Sequence, residues 1–97
     1  MHIISKKALR EFWVKCPDAC ESLNAWFHET KAATWSNSAE LKAKYRSASV
    51  INAECVVFNI CGNKYRLVVR INYAYKTVFI RFVGSHREYD QIDVENI

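Results

Sequence analysis

Two runs of alternating residues around Gly62-Asn63 constrain this chain more than any other feature. Before that pair, Val56, Phe58 and Ile60 alternate with Val57, Asn59 and Cys61. After it, Tyr65, Leu67, Val69 and Ile71 alternate with Lys64, Arg66, Val68, Arg70 and Asn72. Period two marks strands with one buried face, and Gly-Asn suits a two-residue turn that closes a hairpin. Counting outward from the turn pairs Cys61 with Lys64, Asn59 with Arg66, Val57 with Val68 and Cys55 with Arg70. The same register sets Ile60 beside Tyr65, Phe58 beside Leu67 and Val56 beside Val69 on the apolar side. A slip of one residue would turn every one of these side chains over.

A looser turn around Ala74–Thr77 leads into Val78, Ile80 and Phe82, interleaved with Phe79, Arg81 and Val83. With Val78, Ile80 and Phe82 on the apolar face, a four-residue loop is expected to pair Asn72 with Phe79, Arg70 with Arg81, Val68 with Val83 and Arg66 with Ser85. The polar face then collects Asn59, Lys64, Arg66, Arg70 and Arg81, with His86 just past the strand end. Directly opposed arginines repel unless an anion lies between them. The bland alternatives are carboxylates brought from elsewhere, or side chains that splay into water. Val68, Phe79 and Val83 give this basic surface an apolar, partly aromatic floor, a combination that can hold phosphate and stack a base.

The first half reads as helix. After an extended start at His2, Ile3 and Ile4, Ser5 can cap a helix bearing Leu9, Phe12, Trp13 and Cys16. Pro17 suits the first turn of a second helix with Cys20, Leu23, Trp26 and Phe27 on one side. Trp35–Ser38 reads as a loop, and Asn37 with Glu40 resembles a capping box for a third helix to about Lys44. Gly84 ends the last strand, and Ser85 can cap a short helical turn containing His86 to Gln91. The expected fold is α+β: N-terminal helices packed on a mostly antiparallel sheet, with a short C-terminal helical turn.

With 97 residues the chain is expected to be a single domain, 1–97. Fourteen Lys and Arg against ten Asp and Glu give a net charge of +4, which suits an anionic partner without identifying it. No apolar run approaches the roughly 18–20 residues of a membrane span, and no apolar stretch follows the basic start as in a secretory signal. A cytoplasmic protein with no membrane partner is therefore expected. Cys16 and Cys20 flank Pro17, and Cys55 and Cys61 lie in a strand pattern; neither pair has the two-residue gap of a zinc knuckle or redox dithiol. Reduced, mostly buried thiols are expected, with no metal site; His2 and His28 likewise show no ligand spacing.

Val56–Val69 (VVFNICGNKYRLVV) followed by Val78–Asp90 (VFIRFVGSHREYD) resembles the HigB family of bacterial toxins, within the wider RelE-like group. His2–Arg10 and Ala39–Ser49 (AELKAKYRSAS) extend the resemblance over nearly the whole chain. The resemblance implies a toxin that cleaves messenger RNA during translation on the ribosome. It also implies a HigA-like antitoxin with a helix-turn-helix domain, and no cofactor or metal. In the implied reaction the ribose 2′-hydroxyl attacks its own phosphodiester, which needs a base, positive charge for the phosphorane and an acid for the leaving oxygen.

By the same resemblance Arg66 matches the strand arginine set against the scissile phosphate, and His86 falls where RelE carries a basic catalytic residue. Tyr89, one helical turn on, could stack a base or supply a proton, or merely pack on the sheet. RelE has lysines where this chain has Val57 and Asn59, so either Lys64, His86 or the Lys42/Lys44/Arg46 cluster takes over their chemistry, or the enzyme is slow. That cluster could instead grip ribosomal RNA, or be a solvated helix face. The expected catalytic set is thus Arg66, His86, Tyr89 and Lys64, and the expected RNA-binding set Asn59, Arg70, Arg81, Lys42, Lys44 and Arg46. The rival readings are a non-catalytic RNA- or ribosome-binding domain using the same face, and a structural domain whose arginines meet a partner's carboxylates.

Overall fold

A computed structural model describes all 97 residues. The elements run β1 (His2–Ile4), α1 (Lys6–Lys15), a 3₁₀ turn (Pro17–Ala19), α2 (Cys20–Ala32), α3 (Ser38–Lys44), β2 (Ser49–Val50), β3 (Cys55–Ile60), β4 (Tyr65–Asn72), β5 (Thr77–Ser85) and α4 (His86–Tyr89), with a last 3₁₀ turn at Val94–Asn96. One five-stranded sheet has the order β1-β5-β4-β3-β2. The pairings are antiparallel except for β1, which lies parallel to β5 at one edge. The α+β architecture expected from the sequence is the one observed.

The helices cover one face of the sheet because their apolar stripes have nowhere else to go. Leu9, Leu23, Trp26, Phe27 and Leu41 meet Val56, Phe58, Ile60, Leu67, Val69, Ile71 and Val78 in the main core. Trp26 packs edge-on to Phe58, and so does Tyr45 at the end of α3. Local capping follows the sequence closely: Asn37 Oδ1 accepts from the Glu40 amide at 3.0 Å. Glu40 Oε1, however, accepts from Ser36 N–H rather than from the cap residue itself. At Ser5 the cap position is right, but its side chain makes no capping bond.

The β3–β4 register is the one counted from the alternation, from Ile60 opposite Tyr65 to Cys55 opposite Arg70. The connection is a four-residue turn, Cys61–Lys64, rather than a two-residue one, with left-handed backbone at Cys61 and Gly62. Adding one residue to each side of a loop leaves the register unchanged, so the faces survive the difference.

The β4–β5 register corrects the expectation. A four-residue turn, Tyr73–Lys76, sets Asn72 opposite Thr77, Arg70 opposite Phe79 and Val69 opposite Ile80. The next partners are Val68 with Phe82, Leu67 with Val83 and Arg66 with Gly84. Arg81 therefore has no partner: it is the extra residue of a β-bulge, and the proposed Arg70–Arg81 opposition does not exist. The bulge also exchanges two apolar residues. Val83 packs on the main core, and Phe82 turns to the other face.

That other face has its own small core. Cys55, Val57 and Val68 are buried beneath Phe82, Tyr89, Ile92, Val94 and Ile97. The segment after α4 thus crosses the middle of a surface that the sequence reading left open. β5 also runs one residue further than expected, to Ser85.

Candidate functional site

Arg66 sits near one end of β4, on the face opposite the helices. Its Nη1 donates to the carbonyl of Asn63 at 3.1 Å, and no carboxylate lies within ion-pair distance of it. A half-exposed guanidinium without a carboxylate keeps most of its donors for an outside anion. Its partner across β5, Gly84, leads through Ser85 into α4.

His86 opens that helix. Ser85 and Glu88 form a reciprocal capping box: the Ser85 hydroxyl oxygen accepts from Glu88 N–H at 3.1 Å, and Glu88 Oε1 accepts from Ser85 N–H at 2.9 Å. Those bonds hold the Glu88 carboxyl below its usual range. The His86 amide donates to the Lys64 carbonyl at 3.2 Å, which pins the start of α4 to the first hairpin. The imidazole Nδ1 lies 3.2 Å from Asp90 Oδ2 one turn later. A carboxylate at Nδ1 orients the ring and leaves Nε2 to exchange a proton elsewhere. Asp90 was not singled out from the sequence, although the four-residue spacing from His86 is the visible signal for such a pair.

The other expected site residues divide. Tyr89 is half-buried against the small core of Cys55, Val57 and Val68. Lys64 reaches to the helical side of the hairpin, where its ammonium donates to Asp18. Tyr65 OH donates to the other oxygen of the same carboxylate at 2.6 Å. The two donors hold the Asp18 carboxyl below its usual range, and Asp18 in turn raises Lys64. Asn59, opposite Arg66, donates from Nδ2 to the Ser47 carbonyl at 3.2 Å and so ties the loop carrying Arg46 to the rim of this face. Lys42 donates to the Ala48 carbonyl, whereas Lys44 and Arg46 are exposed and unpaired with acids.

Arg70 is occupied. Its Nε donates to the Ile97 carbonyl and its Nη2 to the Glu95 carbonyl, both at 2.9 Å, and Glu54 lies 3.6 Å from Nη1. This arginine fastens the C-terminal segment over the sheet. The alternating Ile92 and Val94 were the available hint of an apolar partner for Val57 and Val68. Arg81, displaced by the bulge, is exposed and free of carboxylates.

All four cysteines are free thiols, with Cys55 buried and the other three partly so. Burial in the small core pushes the Cys55 thiol up, away from the reactive thiolate. No group of three or more His, Cys, Asp or Glu side chains is placed to hold a metal ion, and no helix is long and apolar enough to cross a membrane.

Comparison with known proteins bears on this arrangement. The family model for HigB toxins, the RelE-like toxic component of a toxin-antitoxin system, matches residues 19–92. The mRNA interferase HigB of Escherichia coli O6:H1 is 28% identical over 100 residues, covering 95% of this chain and 91% of that protein. The mRNA interferase toxin HigB of Escherichia coli K12 is 30% identical over 92 residues, covering 93% and 88%. The mRNA interferase HigB of Shigella flexneri matches to the same extent. The matched span takes in every strand of the main hairpins together with α4, and the chain belongs to the HigB family of RelE-like toxins.

Proposed function

We propose that this toxin cuts messenger RNA on the translating ribosome, without a metal, through the end of the sheet that carries Arg66 and His86. The observation that carries the reading is that a guanidinium free of carboxylates and a carboxylate-oriented imidazole are borne at the same end of the sheet. The names of the E. coli relatives support the substrate.

In the proposed reaction the ribose 2′-hydroxyl attacks the adjacent phosphorus and loses its proton to a base. The bond to the 5′-oxygen breaks, and that oxygen takes a proton from an acid. The products are a 2′,3′-cyclic phosphate and a 5′-hydroxyl. Arg66 balances the charge of the phosphorane. His86, held at Nδ1 by Asp90, moves a proton at Nε2. Tyr89 stands one turn away and contributes its ring or hydroxyl to the bound strand. Lys64, its charge balanced by Asp18, braces the turn next to Arg66, and Lys44 and Arg46 at the rim meet ribosomal RNA. In this reading the 97 residues act as one toxin domain in the cytoplasm. A HigA-like helix-turn-helix antitoxin neutralises it by covering the basic end or blocking entry to the ribosome.

Primer extension on mRNA after brief induction tests the reading. Wild type should give site-specific cuts within coding sequence. Arg66→Ala should cut about 10²–10³-fold more slowly, and His86→Ala about 10²-fold or more. Binding to ribosomes with no cuts from wild type would refute the nuclease and favour a non-catalytic RNA-binding domain.

A further inference from the structure

The bulge leaves an unexplained feature on β5. Beside Arg70 lies an open hollow of about 300 Å³ lined by Glu54, Arg70, Ile71, Asn72, Phe79 and Arg81. Phe79 is 39% exposed, so its ring is open to an outside ligand at the wall of this hollow. Arg81 stands free over the same hollow.

We propose that this hollow is a subsite for one unpaired nucleotide of the RNA strand, with its base stacked on Phe79 and its phosphate on Arg81. The proposal rests on the RNA-cutting reading for the identity of the strand. Three observations support it. An exposed aromatic face next to a free guanidinium is the combination that single-stranded RNA sites use, because every base has a π-face and every linkage a charge. The hollow is of the size of small-ligand pockets. The bulge supplies the geometry: in a regular ladder one residue of β5 would face each residue of β4, whereas here an additional arginine is turned out beside Phe79.

The polar groups at the rim are compatible with a base edge. Asn72 Oδ1 is used by the Tyr75 amide at 3.0 Å, which leaves its amide N–H groups as donors. Glu54 is exposed and only loosely paired with Arg70, so it can accept from a base amino group. Its charge offsets that of Arg70, and the net positive charge of the hollow is therefore the charge of Arg81. Arg66 and Arg70 lie four residues apart on one strand, about 13 Å. The subsite thus lies roughly two nucleotides of extended strand from the cleavage position.

A stacking-sensitive fluorescent base tests this. A 2′-O-methyl hexanucleotide cannot be cut, since the attacking hydroxyl is blocked, and it can carry 2-aminopurine at each position in turn. Titration with the full-length chain should quench one position selectively. Phe79→Leu should abolish that quench and weaken binding by roughly tenfold, whereas Phe79→Tyr should retain it. Arg81→Gln should weaken binding and reduce the salt slope by about 0.7, the share of one phosphate contact. No selective quench, or a quench that persists in Phe79→Leu, overturns the subsite. Messenger-RNA cutting by wild type, measured in parallel, keeps the two readings apart. Cutting without a Phe79-dependent quench removes the subsite alone; a Phe79-dependent quench without cutting removes the nuclease alone.

Discussion

Replacing Gly84 with alanine should destabilise the site end of the sheet through one identifiable collision. Gly84 is buried opposite Arg66, and the Phe82 ring roofs its Cα. A methyl group there would stand 2.6 Å from Phe82 Cζ and 3.2 Å from both Phe82 Cε1 and Glu88 Oε1. Comfortable carbon contacts lie near 3.5–4.0 Å, so the ring must retreat by about an ångström. It cannot retreat freely, because it packs on the small core of Cys55, Val57 and Val68. Overpacking of this kind costs about 1–3 kcal/mol. The Glu88 oxygen it crowds is the one that accepts from Ser85, so part of a cap, worth about 1 kcal/mol, is also at risk. The sum is about 2–3 kcal/mol, or on the order of 10–15 °C in Tm for a domain of this size. Urea unfolding followed by tryptophan fluorescence measures it. Phe82→Leu should relieve the clash, so the double variant should be at least about 1 kcal/mol more stable than the two single effects predict. A Gly84→Ala loss below about 0.5 kcal/mol, or strictly additive effects, would refute the collision.

Two further outcomes follow from the polar ties. Asp18 is held below its ordinary value of 3.8 by Lys64 and Tyr65, so its contribution is full above that value and is lost as pH falls below it. Lys64 is raised above 10.5, so its side of the same pair fades only at higher pH. The difference in unfolding midpoint between wild type and Asp18→Asn should therefore be constant through neutral pH and close below about pH 3.8; a gap that widens on acidification would contradict the assignment. Arg70→Gln should release the segment from Glu95 to Ile97, with faster amide exchange there and a global loss of about 1–2 kcal/mol. Unchanged exchange would show that apolar packing of Val94 and Ile97 holds the segment by itself.

The first hairpin was legible because Asn59, Lys64, Arg66, Arg70 and Asn72 all fall on one face at period two, and only one register keeps the apolar residues between them together. The second hairpin was not. Val78, Phe79, Ile80, Phe82 and Val83 are apolar at nearly every position, so either face can accept them and the pattern does not reveal the extra residue. Helix starts at Asn37 and Ser85 were readable since capping is local in sequence. The Lys64–Asp18 tie spans 46 residues and depends on how the 3₁₀ turn before α2 approaches the hairpin, which no local pattern encodes. Arg66 and His86 follow from the alternation, the resemblance assigns them their roles, and both lie at one end of the sheet. Arg70 was selected by the same alternation, yet the C-terminal segment uses its donors.

The bulge at Arg81 has a bearing on where β5 can take an insertion or deletion. Val69–Ile80 and Val68–Phe82 are consecutive rungs with a single residue inserted between their β5 members. Deleting Arg81 would fuse the two half-ladders without moving any other side chain to a new face. That position is therefore a slot where a residue can be gained or lost while the frame of Gly84, Ser85 and His86 against β4 is preserved. The far end of the strand can be remodelled there while the end that carries Arg66 and His86 stays in register.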